Sequence, residues 1–135
     1  MNSAATNVAV SGFFESIAQL TELMPGAYMR QGEDGTRLVV TTVPVPTLNA
    51  VCVDHERDLG EVEGFAEELS TTGLPWCFQV RGEVDPSLER LAARYGKTAV
   101  TTLPLLVWDA ELLPTLPTDI PHGATVRRVP GAEAD

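Results

Sequence analysis

Two cysteines, two histidines and two acidic runs are the residues of this chain best suited to chemistry. Cys52 lies in Ala50-Val51-Cys52-Val53, and Cys77 stands between Trp76 and Phe78. Two thiols cannot make a disulfide framework or a four-thiolate metal site, and a catalytic thiolate needs a basic, partly exposed setting. Both are therefore read as reduced, buried hydrophobes on neighbouring strands. His55 is flanked by Asp54 and Glu56, and His122 by Pro121 and Gly123. Each reads as an exposed loop histidine, because catalysis or metal binding needs convergent partners that this spacing does not supply. Glu61, Glu63, Glu67 and Glu68 share one helical stretch, and such a run ordinarily forms a solvated outer face. No nucleophile is paired with a base, so the residues themselves assign no catalytic, cofactor-binding or metal position.

The elements that would position these groups are legible from Ser70 to Trp108. Gly73 and Pro75 stop a helix, and Trp76 to Val80 is an apolar, aromatic-rich run of strand length. Asp85-Pro86 opens a helix with a capping carboxylate and proline at its first position. Leu88, Leu91, Ala92 and Tyr95 share one face, and Gly96 supplies a left-handed stop. Lys97 to Trp108, rich in Val, Thr and Leu, reads as the next strand. A helix between two apolar strands belongs to an α/β layer.

Upstream, Ser11 caps a helix with apolar positions Phe14, Ile17, Leu20 or Thr21, and Met24, ended by Pro25-Gly26. Ala27 to Arg30 and Leu38 to Val43 flank an Asp34-Gly35 turn and read as a hairpin. Pro44 and Pro46 break its second strand, and Asn49 to Val53 is a third. Asp58 with Glu61 resembles a capping box, and Leu59, Val62, Phe65 or Ala66, and Leu69 line the following helix. Asp109 to Gly123, with Pro114, Pro117 and Pro121, reads as a linker before a short strand from Thr125 to Val129. The expected class is α/β (α+β).

Composition sets the outer bounds. A chain of 135 residues is one domain long. A formal net charge of −10, with Lys97 the only lysine among nine basic residues, argues against nucleic acid and anionic membrane as partners. No apolar run approaches the roughly 20 residues that span a bilayer, and Met1 to Val10 lacks the basic start of a secretion signal. The expected location is the cytoplasm.

Taken in order, a helix ending Met24-Pro25-Gly26-Ala27, the Asp34-Gly35 hairpin, the Pro44-x-Pro46-x-x-Asn49 element and Gly73-Leu74-Pro75-Trp76 before a strand resemble a known group. They look like the N-terminal, degenerate half of bacterial two-part N-acetyltransferases of the GNAT superfamily. The resemblance covers roughly Ser11 to Val129 and rests on the order of the motifs. It implies a GNAT-like domain over residues 1–108, built as a mixed, largely antiparallel sheet with helices on both faces, a linker over 109–123, and over 124–135 either the start of a following GNAT domain or a terminal edge strand. It also implies acetyl-CoA as cofactor of the parent enzyme, a C-terminal GNAT domain of the same polypeptide as partner, and Trp76 and Trp108 at the interface or acceptor cleft. The chain is then a fragment of a longer enzyme, and its uncovered apolar surface favours a homodimer. The alternative is a self-standing GNAT-like binding module without chemistry.

In active GNAT domains the strand equivalent to Asn49 to Val53 leads into an Arg/Gln-x-x-Gly-x-Gly/Ala loop whose N–H groups cradle the cofactor's pyrophosphate. Here the loop is Asp54-His55-Glu56-Arg57-Asp58-Leu59-Gly60, in which three carboxylates face one arginine. Like charges about 4 Å apart near a surface repel by about 4 kcal/mol. The expectation is that this chain alone binds no acetyl-CoA.

Overall fold

A computed structural model describes residues 3–106, 121–125 and 127. The chain divides into two units, Met1–Pro104 and Leu105–Asp135. The first contains α1 (Ser3–Leu23), β1 (Tyr28–Gln31), β2 (Arg37–Val40), β3 (Asn49–Val53), α2 (Leu59–Thr71), β4 (Cys77–Val80) and α3 (Pro86–Arg94), with a 3-10 turn over Pro46–Leu48. In the second, Pro121 to Ala124 forms a turn closed by Ala124 N–H donating to the Pro121 carbonyl at 2.9 Å.

The sheet order is β1-β2-β3-β4. The β1–β2 and β2–β3 pairs are antiparallel, whereas β3 and β4 are parallel, with Ala50 opposite Cys77 and Val53 opposite Val80. A parallel pair needs a crossover, and α2 provides it. Because successive strand residues face opposite sides, Leu38, Val40, Val51 and Val53 point one way and Val39, Ala50 and Cys52 the other. The first set packs with Val62, Ala66 and Leu69 of α2 and Leu88 and Leu91 of α3. The second meets Phe14 and Ile17 of α1. Helices thus cover both faces of the sheet, and β3, buried at all five positions, lies at the centre of the first unit.

Local signals placed most boundaries. Asp85 accepts from Ser87 and Leu88 N–H and Pro86 occupies the first turn of α3, while Gly26, Gly35, Gly73 and Gly96 all take positive φ where the chain turns. The α2 stripe is Val62, Ala66 and Leu69, all fully buried, with Phe65 half-buried and Leu59 exposed. In α1 it is Thr21 that is buried, and Leu20 is exposed.

Three expectations are corrected. The segment Lys97 to Leu106 forms no strand, and Val100 is 74% and Leu103 70% exposed. A Val- and Thr-rich composition favours a pleated, half-buried surface only where a ladder partner exists, and here none pairs with it among the described residues. Helix α1 begins at Ser3 and carries Ser11 and Gly12 in its interior, because Ala4, Ala5, Val8 and Ala9 extend the helix before any breaker is met. Strand β2 ends at Val40 rather than Val43, since Thr42 turns the chain with φ 68°. Residues 107–120, with Trp108 and most of the proline-rich stretch, lie outside the described residues, as does most of Thr125 to Val129, of which Thr125 and Arg127 are in neither helix nor strand.

Candidate functional site

The carboxyl ends of parallel strands are where α/β folds place ligands, and here they are the ends of β3 and β4. Beyond Val53 come Asp54, His55, Glu56, Arg57 and the α2 cap Asp58, and beyond Val80 come Arg81, Gly82 and the α3 cap Asp85. The groups satisfy one another. Asp54 Oδ1 accepts from its neighbour's N–H, that of His55, at 2.7 Å and lies 3.4 Å from Arg81 Nη1. Arg81 Nη2 donates to Asn7 Oδ1 of α1 at 2.6 Å. Arg57 pairs with Asp85 and also donates to the Asp54 carbonyl at 3.3 Å. The exposed His55 ring lies over Gly82, where φ is +83° and an added Cβ would come 2.7 Å from Cε1.

Both helix N-termini at this edge are closed by the chain itself. Asp58 Oδ1 accepts from Glu61 N–H at 2.9 Å, and Asp85 Oδ1 accepts from Ser87 and Leu88 N–H at 2.8 and 3.0 Å. The Leu88 amide first, and then the Arg57 guanidinium, hold the Asp85 carboxyl below the usual carboxylate range. Gly60, the one residue of the acidic loop expected to make a cofactor-type turn, lies inside the first turn of α2. A Cβ there would approach Asp58 Oδ1 to 2.9 Å, so the glycine admits the cap. An anion arriving at either terminus would meet a carboxylate in the place that phosphate oxygens need.

No family model, curated protein or solved structure matches this chain. Assignment therefore rests on the residues and their geometry. Among the described residues no group of three His, Cys, Asp or Glu is placed to hold a metal ion, and no helix is long and apolar enough to cross a membrane.

Trp76 is 6% exposed and belongs to the core under α2 and α3. Its ring meets Phe78 at 5.1 Å and Tyr95 at 5.6 Å, both edge-on, and Lys97 Nζ covers it at 4.5 Å from the centroid. The cluster closes one end of the core and leaves the tryptophan a single cationic lid. Trp108, its expected counterpart, lies outside the described residues. The cysteines are free, Cys52 buried and Cys77 half-buried. Burial first, and Cys77 nearby second, push the Cys52 thiol up to about 12. Burial also raises Cys77. Cys52 Sγ lies 3.8 Å from Gln79 Oε1 on the α1 face of the sheet. Neutral, shielded thiols are poor nucleophiles. His122 is exposed in the turn after Pro121.

The carboxylate run on α2 keeps contact with solvent, but three of its four members also pair with other elements. Glu61 reaches across to the β1–β2 turn, accepting from Asp34 and Thr36 N–H at 3.2 and 3.3 Å. Its carboxylate fills the space a Cβ on Gly32 would need. Glu63 meets Arg94 at 2.8 Å, and Glu68 accepts from the Tyr28 hydroxyl at 2.9 Å and pairs with Arg30. Glu67 is exposed, and its backbone carbonyl takes the Ser70 hydroxyl. Helical spacing identifies which residues share a face and is silent on what a neighbouring hairpin brings to that face.

In the sequence Asn49 stands as the end of the Pro44-x-Pro46-x-x-Asn49 element, and in the structure it is a buried polar pin. Fully buried, it donates from Nδ2 to the carbonyls of Val43, Val45 and Pro75 at 2.7, 3.2 and 3.1 Å and accepts Thr41 N–H at Oδ1 at 3.0 Å. It ties the proline-broken loop to the entrance of β4. The clue in the sequence was an amide placed three residues after Pro46, at the head of an apolar strand.

Proposed function

We propose that this chain is the non-catalytic, GNAT-like portion of a two-part acetyl-CoA-dependent N-acetyltransferase, shaping the acceptor site or bracing a catalytic half. Three antiparallel strands followed by a parallel one across a helix support a GNAT-like reading of the α+β fold. The observation that carries the non-catalytic part is the closure of both helix N-termini by Asp58 and Asp85. In the resembled enzymes the α2 terminus would receive the pyrophosphate. Arg57 and Gly60 keep the first two positions of the Arg/Gln-x-x-Gly-x-Gly/Ala loop, but Arg57 is held by Asp85 and the last position is Val62, fully buried under the sheet. The acceptor cleft and the partner domain belong to this reading, as does a cytoplasmic location.

Calorimetry with the full 135-residue chain tests the non-catalytic part. No heat of binding is expected with acetyl-CoA, and a low-micromolar dissociation constant would overturn it. The two-part reading is tested by the gene: a reading frame continuing for roughly another domain's length, about 150 residues, with a complete pyrophosphate loop supports it. A frame that closes at Asp135 overturns it.

A further inference from the structure

We propose that the groove between α2 and α3 binds a small amphiphilic monoanion, an aliphatic carboxylate whose head meets Arg90 and Ser87 and whose chain lies along Leu59 and Leu91. Both helices pack on the same face of the sheet. Between them they leave an open hollow of about 590 Å³, lined by Leu59 and Glu63 of α2 and by Ser87, Arg90, Leu91 and Arg94 of α3. That volume falls within the roughly 300–1,000 Å³ of small-molecule sites. Its apolar surface comes from Leu91, which is 4% exposed, and from Leu59. At the first position of α2, Leu59 is left 39% exposed in the groove instead of joining Val62, Ala66 and Leu69 in the core.

The polar groups of the groove divide into one spent pair and one free cation. Arg94 Nη1 meets Glu63 Oε1 at 2.8 Å, so that guanidinium already has its carboxylate. Arg90, one helical turn earlier, has no ion-pair partner among the described residues. Its guanidinium donates from Nη2 to Ser87 Oγ at 3.2 Å, a bond that uses a lone pair of the hydroxyl and leaves the hydroxyl proton to donate. A guanidinium fork beside a free hydroxyl proton is a donor set that a carboxylate accepts from. Charge narrows the head group further. Among the lining residues two guanidiniums stand against one carboxylate, a positive balance in a chain of net charge −10, and exposed charges beyond about 10 Å are largely screened at ordinary ionic strength. Glu63, on the α2 wall, opposes a second negative charge on the ligand, which favours a carboxylate over a phosphate dianion. Leu59 and Leu91 then call for an apolar chain behind that head. The inference needs only α2 and α3 and does not depend on the acetyltransferase reading.

Amide NMR titration of the full chain with sodium octanoate, 1-octanol, octylammonium and acetate at fixed ionic strength tests it. Octanoate should shift the amides of Leu59, Glu63 and Ser87 to Leu91 saturably, while acetate, which has the head without the chain, and octylammonium leave them in place. Octanol should bind about tenfold more weakly than octanoate, for want of the charge-assisted contact. Arg90→Gln should weaken octanoate about tenfold and leave octanol unchanged, and Leu59→Ser should weaken both. The Arg90 side chain is exposed, and the amide spectrum of each variant shows directly that the fold is kept. The absence of a saturable shift with octanoate overturns the proposal. So does octanol binding as tightly as octanoate, an Arg90→Gln variant that binds octanoate like the parent, or shifts confined to residues outside α2 and α3.

Discussion

Asn49 Nδ2 donates to the Pro75 carbonyl across 26 residues of sequence, at 3.1 Å, and so fixes where β4 enters the sheet. The same amide group holds Val43 and Val45. Removing a buried donor that serves several acceptors leaves each of them unsatisfied, and the cost is the desolvation of those carbonyls. Asn49→Ala should lower unfolding stability by about 3 kcal/mol, measured by urea denaturation. Asn49→Asp should also destabilise, because a carboxylate accepts but cannot donate to three carbonyls.

Thr36 is the converse case. Its hydroxyl is fully buried and has no hydrogen-bond partner among the described residues, while its N–H is held by Glu61. Thr36→Val keeps the shape and the backbone bond and removes the orphaned hydroxyl. Stability should rise by about 1 kcal/mol. A decrease in the same urea assay would mean that the hydroxyl has a partner in solution.

Thr42 takes φ 68° at the end of β2, in a region that costs a β-branched residue roughly 1–2 kcal/mol. Glycine carries no such penalty but loses more chain entropy on folding. The net expectation for Thr42→Gly is a gain of about 0.5–1 kcal/mol, read as a shift in urea midpoint with unchanged slope.

Asp85 supplies the acid dependence. Its folded carboxyl is held below its ordinary value of 3.8 by the Leu88 amide and then by Arg57. Its contribution is therefore fully present above about pH 4 and is lost as pH falls through the lower folded value. Asp85→Asn should be less stable than the parent at neutral pH, and the difference should shrink below pH 3.8. Parallel curves across that range would show that the cap carries no linked proton.

The thiols act at the other end of the scale. Cys52 is raised from 9.0 to about 12 by burial, so an unfolded chain ionises this thiol where the folded one does not. Stability from this group is complete below pH 9 and declines as pH rises towards 12, by about 1.4 kcal/mol per pH unit within that window. Cys52→Ala should flatten this part of the alkaline limb. In native buffer at neutral pH Cys52 should resist a thiol reagent and Cys77 react slowly, whereas denaturant should release two fast groups.

Sequence alone determined the features that depend on a residue and its near neighbours. Asp85-Pro86 had to start a helix, Asp34-Gly35 had to turn a hairpin, and alternating apolar residues had to make Asn49 to Val53 a buried strand, because capping, positive φ and side-chain alternation are decided within a few bonds. The alternation of helices and strands gave the α/β class. Tertiary structure alone decided which polar groups meet. Glu61 left its own helix terminus for a hairpin turn 25 residues upstream at Thr36, Asn49 reached forward to Pro75, and Arg81 joined Asp54 to Asn7 of α1. It also withheld strand structure from Lys97 to Leu106. A strand is completed by a neighbour's backbone groups, and whether a neighbour is there is a property of the assembled sheet.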